Sequence, residues 1–489
     1  MYSEAGSVSY TLSNQVCNNS GDCETYTGTH NIYARPWTLA ICSGDTINGT
    51  ASSGIGYKAS GDSFAVMVKP IIWVSGGNES GAIETSSYCS TTVTQNFFDS
   101  GAPAATVTLT HDIDTPSGGN AGNLSGTTSV VNTNKSSSGD YFDFSGLSWD
   151  EVGSIQLQAD TSATYLGMDV NQGYRAVGRF YPAYFKVNAT TWTYPSSQSF
   201  IYMGQPFDGI QFDVEALNGS EAVVQNYVSF DSSLQARFDL LENSGYAARF
   251  VSPTFAAGSW ALSSGSSIGT FTNTIASDCT DSICWNKASD YSADGPFNTT
   301  GSSDVSTIEL DSQSGNTDPV AYTTNGKALT VQPSIRFGRI NLSDVGGVQG
   351  DTLTVPLAVE YWSGSKFITN ADDSSTSFDA ANFCQRVVWS SETDNGNLSG
   401  SGTVASGTSR IVKASQDTSA REQLKFWLTL VSGGASSSCE GTYSDLPWLQ
   451  YDWNNSGSSE QDPYAIVTFG IHRGSDKVLF RGESGLTGQ

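Results

Sequence analysis

The chain is predicted to be all-β: an elongated, disulfide-stapled array of tandem immunoglobulin-like β-sandwich modules. Three observations predict it. Apolar residues recur at every second position in short runs: Phe64, Val66 and Val68; Ile210, Phe212 and Val214; Leu353, Val355, Leu357 and Val359; Leu424, Phe426, Leu428 and Leu430. Period two sends one side of a strand to a core and the other to solvent, and no long 3.6-residue period competes with it. Gly, Ser, Thr and Asn are abundant and Pro is modest, which suits many short strands joined by turns. The third observation is an internal repeat.

Glu4 to Tyr10 (EAGSVSY) recurs about 145 residues later as Glu151 to Leu157 (EVGSIQL), a spacing that belongs to a domain array. About 30 residues into each copy stands an arginine beside an aromatic and a proline, Ala34-Arg35-Pro36-Trp37 and Gly178-Arg179-Phe180-Tyr181-Pro182. Each then leads into alternating strand, Tyr57 to Val68 and Tyr202 to Val214. A weaker third copy starts at Ile335 (IRFGRINL) and runs into Asp351 to Trp362.

These marks divide the chain. Residues 1–35 read as the closing strands of a truncated or first module, because the acidic-x-Gly-x-apolar-x-apolar run has the form of a penultimate immunoglobulin-like strand. The alternative is that they lend a strand to the sandwich that follows. Residues 36–177, 178–334 and 335–489 each read as one sandwich module. Gly- and Ser-rich stretches, Ser117 to Ser138 and Ala256 to Ser267, read as long inter-strand loops. Near the C-terminus, Ala465 to Ile471, the turn His472 to Lys477 and Val478 to Phe480 read as a β-hairpin closing a sheet, with a polar loop, Asp452 to Pro463, ahead of it.

The 489 residues carry 22 basic and 48 acidic side chains, a formal net charge of −26. That balance argues against nucleic acid, which needs a basic footprint, and against anionic lipid headgroups. No apolar run reaches the ~18 residues of a membrane span. No signal peptide opens the chain, so a mature or shortened product of an exported protein is expected. The eight cysteines fall into neighbouring pairs, Cys17 and Cys23, Cys42 and Cys89, Cys279 and Cys284, Cys384 and Cys439. Four disulfides between those neighbours are expected, among the 105 pairings that eight cysteines allow. None forms CxxC, which speaks against zinc and redox chemistry. The compartment is therefore oxidising.

Catalytic signatures are weak. The three histidines, His30, His111 and His472, read as surface residues. Gly265 to Gly269 (GSSIG) matches GxSxG but has no helix after it, so the strand-turn-helix of a nucleophile elbow is missing. Asp150-Glu151 and Asp372-Asp373 are adjacent acids, and neighbours in a strand point to opposite faces. No enzyme activity and no catalytic residue is expected.

Binding chemistry has more candidates. Asp452, Asn454, Glu460 and Asp462 crowd oxygens into one loop, the kind of ligand set that a hard cation such as calcium takes. The loop opens like an EF-hand, but its twelfth position is Pro463 and not glutamate. Asp112, Asp114 and Asn120 form a second, weaker oxygen cluster. Trp362, Trp448 and Trp453 lie beside turns and are candidates for stacking on sugar rings, against the ordinary reading of core packing.

Several stretches together resemble the C-terminal region of MshQ-type proteins, encoded with the mannose-sensitive haemagglutinin (MSHA) type IV pilus. They are Val177 to Phe185 (VGRFYPAYF), Phe200 to Phe207 (FIYMGQPF), Ile335 to Leu342, Pro356 to Phe367 (PLAVEYWSGSKF), Leu446 to Trp453 (LPWLQYDW) and Val467 to Phe480. The chain departs from that family at Leu479-Phe480-Arg481-Gly482-Glu483, where the final strand usually ends aromatic-Arg-Glu. It also has Asn454, Asn455 and Ser456 where the family loop is often richer in aspartate, which weakens the calcium reading. The resemblance implies a surface or pilus context and supplies no catalytic residue. The expectation is a non-enzymatic extracellular accessory or tip protein of an MSHA-type pilus. It would act in adhesion, with pilus subunits, other surface proteins or glycans as partners. The alternatives are a secreted carbohydrate-active enzyme on β-modules and a purely structural spacer.

Overall fold

The computed structural model describes residues 4–274, 279–280, 282–314, 318–390, 396–432 and 442–470. Its regular structure is β-strand, with only short 3-10 turns between. An N-terminal hairpin is followed by three sandwich modules in series, an elongated tandem array. No helix among the described residues is long and apolar enough to cross a membrane.

The hairpin pairs Gly6–Cys17 with Cys23–Ala34 in continuous antiparallel register, from Gly6 opposite Ala34 to Cys17 opposite Cys23. It forms a two-stranded sheet of its own, and almost all its side chains are exposed. It therefore does not lend a strand to the sandwich that follows.

The first module packs two sheets face to face. One runs in the order Thr38–Cys42, Phe64–Ile71, Phe142–Trp149 and Leu124–Ser125. The other centres on Thr106–Thr115, Gly153–Thr161 and Gly173–Tyr181. The alternating residues meet between them: Phe64, Val66 and Val68 with Phe142, Phe144, Val107, Ile155, Leu157 and Val177. Each such side chain contributes about 1.5–3 kcal/mol by leaving water. Phe180 is buried in this core too, so Gly173–Tyr181 is one strand through the repeat's arginine. The expected boundary between residues 177 and 178 falls inside that strand, and the module ends after Tyr181. The glycine of the EVGS motif has a steric reason. Gly153 has φ +115°, and a Cβ there would sit 2.0 Å from the carbonyl oxygen of Thr115 on the neighbouring strand.

The second module sets a five-stranded sheet, Ser259–Ser263, Ser266–Thr274, Gly209–Leu217, Tyr184–Thr193 and Ala321–Tyr322, against shorter pairs. One of these, Arg237–Glu242 with Ile308–Ser314, closes the far side. Its core is aromatic: Phe185, Phe212, Tyr227, Phe238, Phe271 and Trp285 among others. The third module gathers Ile340, Leu357, Val359, Leu424, Phe426, Ala465 and Val467. The alternation read from Leu353 to Val359 is interrupted at Pro356. Leu353–Thr354 and Leu357–Trp362 belong to different sheets, because proline has no N–H to give to a ladder.

Three of the expected disulfides form, Cys17–Cys23, Cys42–Cys89 and Cys279–Cys284. They assign the chain to an oxidising compartment outside the cytosol. Cys439, the expected partner of Cys384, lies outside the described residues, as do His472 and the rest of the terminal hairpin beyond Gly470.

Cys42–Cys89 spans 47 residues and Cys17–Cys23 spans 6. Chain-entropy arguments give the longer loop about 4 kcal/mol and the shorter about 2. Replacing Cys42 and Cys89 by serine is expected to lower the urea midpoint of the first module's tryptophan-fluorescence transition. Replacing Cys17 and Cys23 should leave that midpoint in place, because their hairpin adds nothing to that core. Equal shifts would contradict this assignment.

Candidate functional site at the module joints

The first joint is built by residues from both sides of the repeat boundary. Glu151 follows the strand Phe142–Trp149 and is buried. Its Oε1 accepts the backbone N–H of Val152 at 2.9 Å, and its Oε2 that of Gln225, in the second module, at 2.9 Å. The N–H of Asn226 comes to Oε1 at 3.2 Å. Burial raises the Glu151 carboxyl, and these N–H groups offset only part of that rise. Asn226 in turn donates to the carbonyls of Asn120 at 2.9 Å and Val152 at 3.1 Å, and its Oδ1 accepts the N–H of Asn120 at 2.7 Å.

Arg179 lies on the last strand of the first module and is 0% exposed. Its Nε and Nη2 grip the two carboxylate oxygens of Asp318, in the second module, at 2.9 and 2.7 Å. Its Nη1 is shared among the carbonyls of Thr50, Ser53 and Gly54 at 3.3, 3.1 and 2.9 Å, on a loop of its own module. The planar guanidinium fork suits this bidentate use.

The second joint repeats the theme with different chemistry. Arg336 stacks on Phe200 and Tyr361, with centroid distances of 4.3 and 4.7 Å, and pairs with Asp372 at 2.6 Å and with Asn370. Tyr202 of the second module donates its hydroxyl to Asp373 at 2.7 Å and accepts from Asn370 at 2.6 Å. Burial, then the nearby Asp373 charge, holds the Tyr202 phenol far above its usual range. The adjacent acids Asp372 and Asp373 lie in a turn after the strand Phe367–Thr369, not in a strand, and serve two different partners. On the other flank Lys287 of the second module reaches into the third, to Glu460 at 2.6 Å and the Gln450 carbonyl at 2.7 Å. Burial lowers the Lys287 ammonium and raises the Glu460 carboxyl, and each charge works against the other's desolvation. A cavity of 280 Å³ lies beside this pair, lined by Met203, Asn286, Tyr291 and Trp448 with Lys287 and Glu460.

The oxygen-rich loop is placed here, but its oxygens do not converge. Asp452 accepts the N–H groups of Ser456 at 2.9 Å and Gly457 at 2.7 Å. Burial raises its carboxyl, and the sum of those hydrogen bonds lowers it further than that. Asn454 accepts from Ser456 at 3.0 Å, and Glu460 is held by Lys287. Asp462 is fully buried, and its Oδ1 accepts from Leu430 N–H at 3.2 Å and Gln450 Nε2 at 2.9 Å. Its Oδ2 has no partner among the described residues, and burial pushes the carboxyl up to about 6. Among the described residues no group of three or more His, Cys, Asp or Glu side chains is arranged to hold a metal ion. In the second cluster Asp112 and Asp114 accept from Gln158 and Ser154 at 2.7 Å each, and Asn120 serves the first joint.

The three candidate tryptophans are half-buried and lie near the second joint. Trp362 packs on Phe367 at 5.3 Å, and Trp448 lines the cavity and packs on the third core. Trp453 lies against Tyr451 at 5.3 Å and under the Arg339 guanidinium at 4.8 Å. More exposed indoles belong to Trp73 and Trp389, 41% and 54%, which the sequence reading did not select. His111 is tied to the Ala121 carbonyl at 3.0 Å. His30 stands on the exposed N-terminal hairpin. The GSSIG match forms part of a hairpin between Ser259–Ser263 and Ser266–Thr274, with no nucleophile elbow. Sequence reasoning missed Asp318, Asn226 and Lys287. The only signal was the recurring glutamate and arginine, which mark one half of each joint.

Models of three consecutive domains of the DUF6701 family match this chain: the second domain over residues 35–141, the third over 151–335 and the fourth over 336–484. No curated protein matches the chain. Among solved structures the chain is similar to the Yersinia pseudotuberculosis adhesin InvE, at 10% identity and TM-score 0.19, over 58% of this chain and 60% of that one. It is similar to the I9-I11 tandem of titin at 10% identity and TM-score 0.21, over 84% of this chain and 94% of that one. It is also similar to surface layer protein SbsC, domains 1-6, at 10% identity and TM-score 0.22, over 95% and 45%.

A carboxyl raised in the folded state stabilises the fold below its unfolded value near 3.8 and loses that contribution as pH rises through about 6. Asp462→Asn removes the titration. The melting temperature of the variant minus that of the parent is expected to rise from pH 4 to pH 7, read by circular dichroism. A difference that does not change with pH would rule out a buried, titrating Asp462.

Proposed function

The chain belongs to the DUF6701 family, and we propose that it serves as a non-enzymatic surface protein whose stacked sandwiches hold a binding end away from the cell. The narrower reading is an accessory or tip protein of an MSHA-type pilus, acting in adhesion. The observation that carries the proposal is the pair of joints. Each is locked by buried, hydrogen-bonded charges and not by a flexible linker. Linkers free to bend default to relative domain motion, and a rod that transmits force between a pilus and a surface needs the opposite.

Other features support the same reading. The disulfides suit an exported protein. The charge of −26 keeps such a rod soluble and off anionic membranes. The acids that sequence neighbours brought together, Asp150 with Glu151 and Asp372 with Asp373, are spent on separate structural partners and do not form a pair for general acid–base work. The runner-up is a purely structural spacer, favoured by the way Trp362, Trp448 and Trp453 are absorbed near the second joint.

The test is genetic and microscopic. Gold-labelled antibody against the chain is expected to decorate pili, and deletion of its gene to reduce adhesion several-fold. Wild type should restore adhesion, and Arg179→Ala should fail to do so when exported to the same level. Label spread evenly over cells, with adhesion unchanged by the deletion, would defeat the pilus reading. Hydrolysis of any glycan by the purified chain would overturn the non-enzymatic one.

A further inference from the structure

We infer that the N-terminal hairpin is the closing pair of strands of another β-sandwich, and that its bare face is the docking surface for the body of that module, supplied by polypeptide ahead of it.

The argument is an element-by-element equivalence with the closing hairpin of the first module, Gly153–Thr161 with Gly173–Tyr181. Val8 faces Ile32 across the N-terminal hairpin, as Ile155 faces Val177 across the closing one. Glu4 stands four residues before Val8, and Glu151 four before Ile155. Both hairpins seat on the next module in the same way. Glu4 accepts the backbone N–H of Asn96 at 3.1 Å, as Glu151 accepts that of Asn226. Asp169 acts electrostatically on Arg35 from the loop that corresponds to the one carrying Asp318.

What differs is everything on the upstream side. Ile155, Leu157 and Ala159 are fully buried. Of their counterparts Val8 is only half-buried and Tyr10 and Leu12 are exposed, Leu12 at 69%, with Ile32 at 51% beside them. The strand Gly153–Thr161 is paired on its outer edge by Thr106–Thr115, whereas Gly6–Cys17 has no second neighbour among the described residues. Gly6 keeps the unusual backbone of Gly153, with φ +134° against +115°. At Gly153 the approaching Thr115 carbonyl demands a glycine, and at Gly6 no described residue lies within 4 Å. Arg179 finds three carbonyls in its own module, Thr50, Ser53 and Gly54. Arg35 binds only downstream carbonyls, Pro36 and Trp37 at 2.9 and 3.0 Å and Glu79 at 3.5 Å, and its Nε donates to no described residue. The 440 Å³ cavity around Glu4, Arg35, Trp37 and Trp73 lies on this seam.

The occupant is therefore a sandwich body of the same make as residues 35–149. It would bring an edge strand to pair with Gly6–Cys17, an apolar face for Val8, Tyr10, Leu12 and Ile32, and a loop of carbonyls for Arg35. An isolated hairpin with an open edge is marginal in water and prone to pair with any strand it meets. The numbering of the matched domains, second to fourth and starting at residue 35, leaves the hairpin outside them.

Hydrogen–deuterium exchange tests this. Residues 6–34 are compared in the 489-residue chain and in the complete polypeptide encoded by its gene, with sedimentation of both. In the complete polypeptide these amides are expected to exchange ~100-fold more slowly or better. Leu12→Asp should erode that protection and leave exchange in the 489-residue chain unchanged. Equal exchange in the two would overturn the proposal. So would protection in the 489-residue chain that rises with concentration as it dimerises, since the occupant would then be a second copy.

Discussion

The buried pairing of Arg179 with Asp318 is the interaction on which the arrangement depends. Both side chains are almost fully removed from water, and removing two charges from water costs several kcal/mol apiece. Their attraction offsets that only because the remaining donors are also satisfied, by the carbonyls of Thr50, Ser53 and Gly54. Those carbonyls belong to one module and Asp318 to the next. The charges are therefore solvated by protein only when the two modules sit in one relative position. A hydrophobic joint of the same area would tolerate sliding; this one tolerates little.

The same logic orders the rest of the chain. Glu151 has one module's backbone on either side of its carboxylate, and Lys287 does for the second joint what Arg179 does for the first. In a chain with 22 basic and 48 acidic residues, cations are scarce. Three of them stand at the repeat boundaries, Arg35, Arg179 and Arg336, and self-repulsion along an acidic rod is relieved where the modules touch. The sandwich cores make each module rigid, and the buried pairs carry that rigidity across the boundaries.

Much of this was legible in the sequence, for a physical reason. Period-two burial is a local property, so Phe64, Val66 and Val68, or Ile210, Phe212 and Val214, announce their inward side without knowledge of the rest. The recurring Glu4 and Glu151, and Arg35 and Arg179, announced the repeat. Their partners did not show, because Asp318 and Asn226 are ordinary polar residues until the fold brings them across a joint. The boundary placed at residue 177 missed Tyr181, since a strand does not stop at the motif it carries. The Asp452 loop read as a cation site because oxygen-rich turns and cation loops share a composition. Only the geometry shows that backbone N–H groups and Lys287 already take up Asp452 and Glu460. Trp448 and Trp453 read as binding platforms for a similar reason, since exposure is not written in a tryptophan's neighbours.

The central claim, that buried charge pairs fix one module against the next, is tested most directly by a distance distribution across the first joint. Spin labels at the exposed positions Ser137 and Ser263 would be measured by electron–electron double resonance from low salt to 1 M. A single narrow distribution that does not change with salt is the predicted result, because pairs out of reach of solvent are little screened. A broad distribution, or one that widens as salt is raised, would contradict the account and return the joint to an ordinary flexible linker.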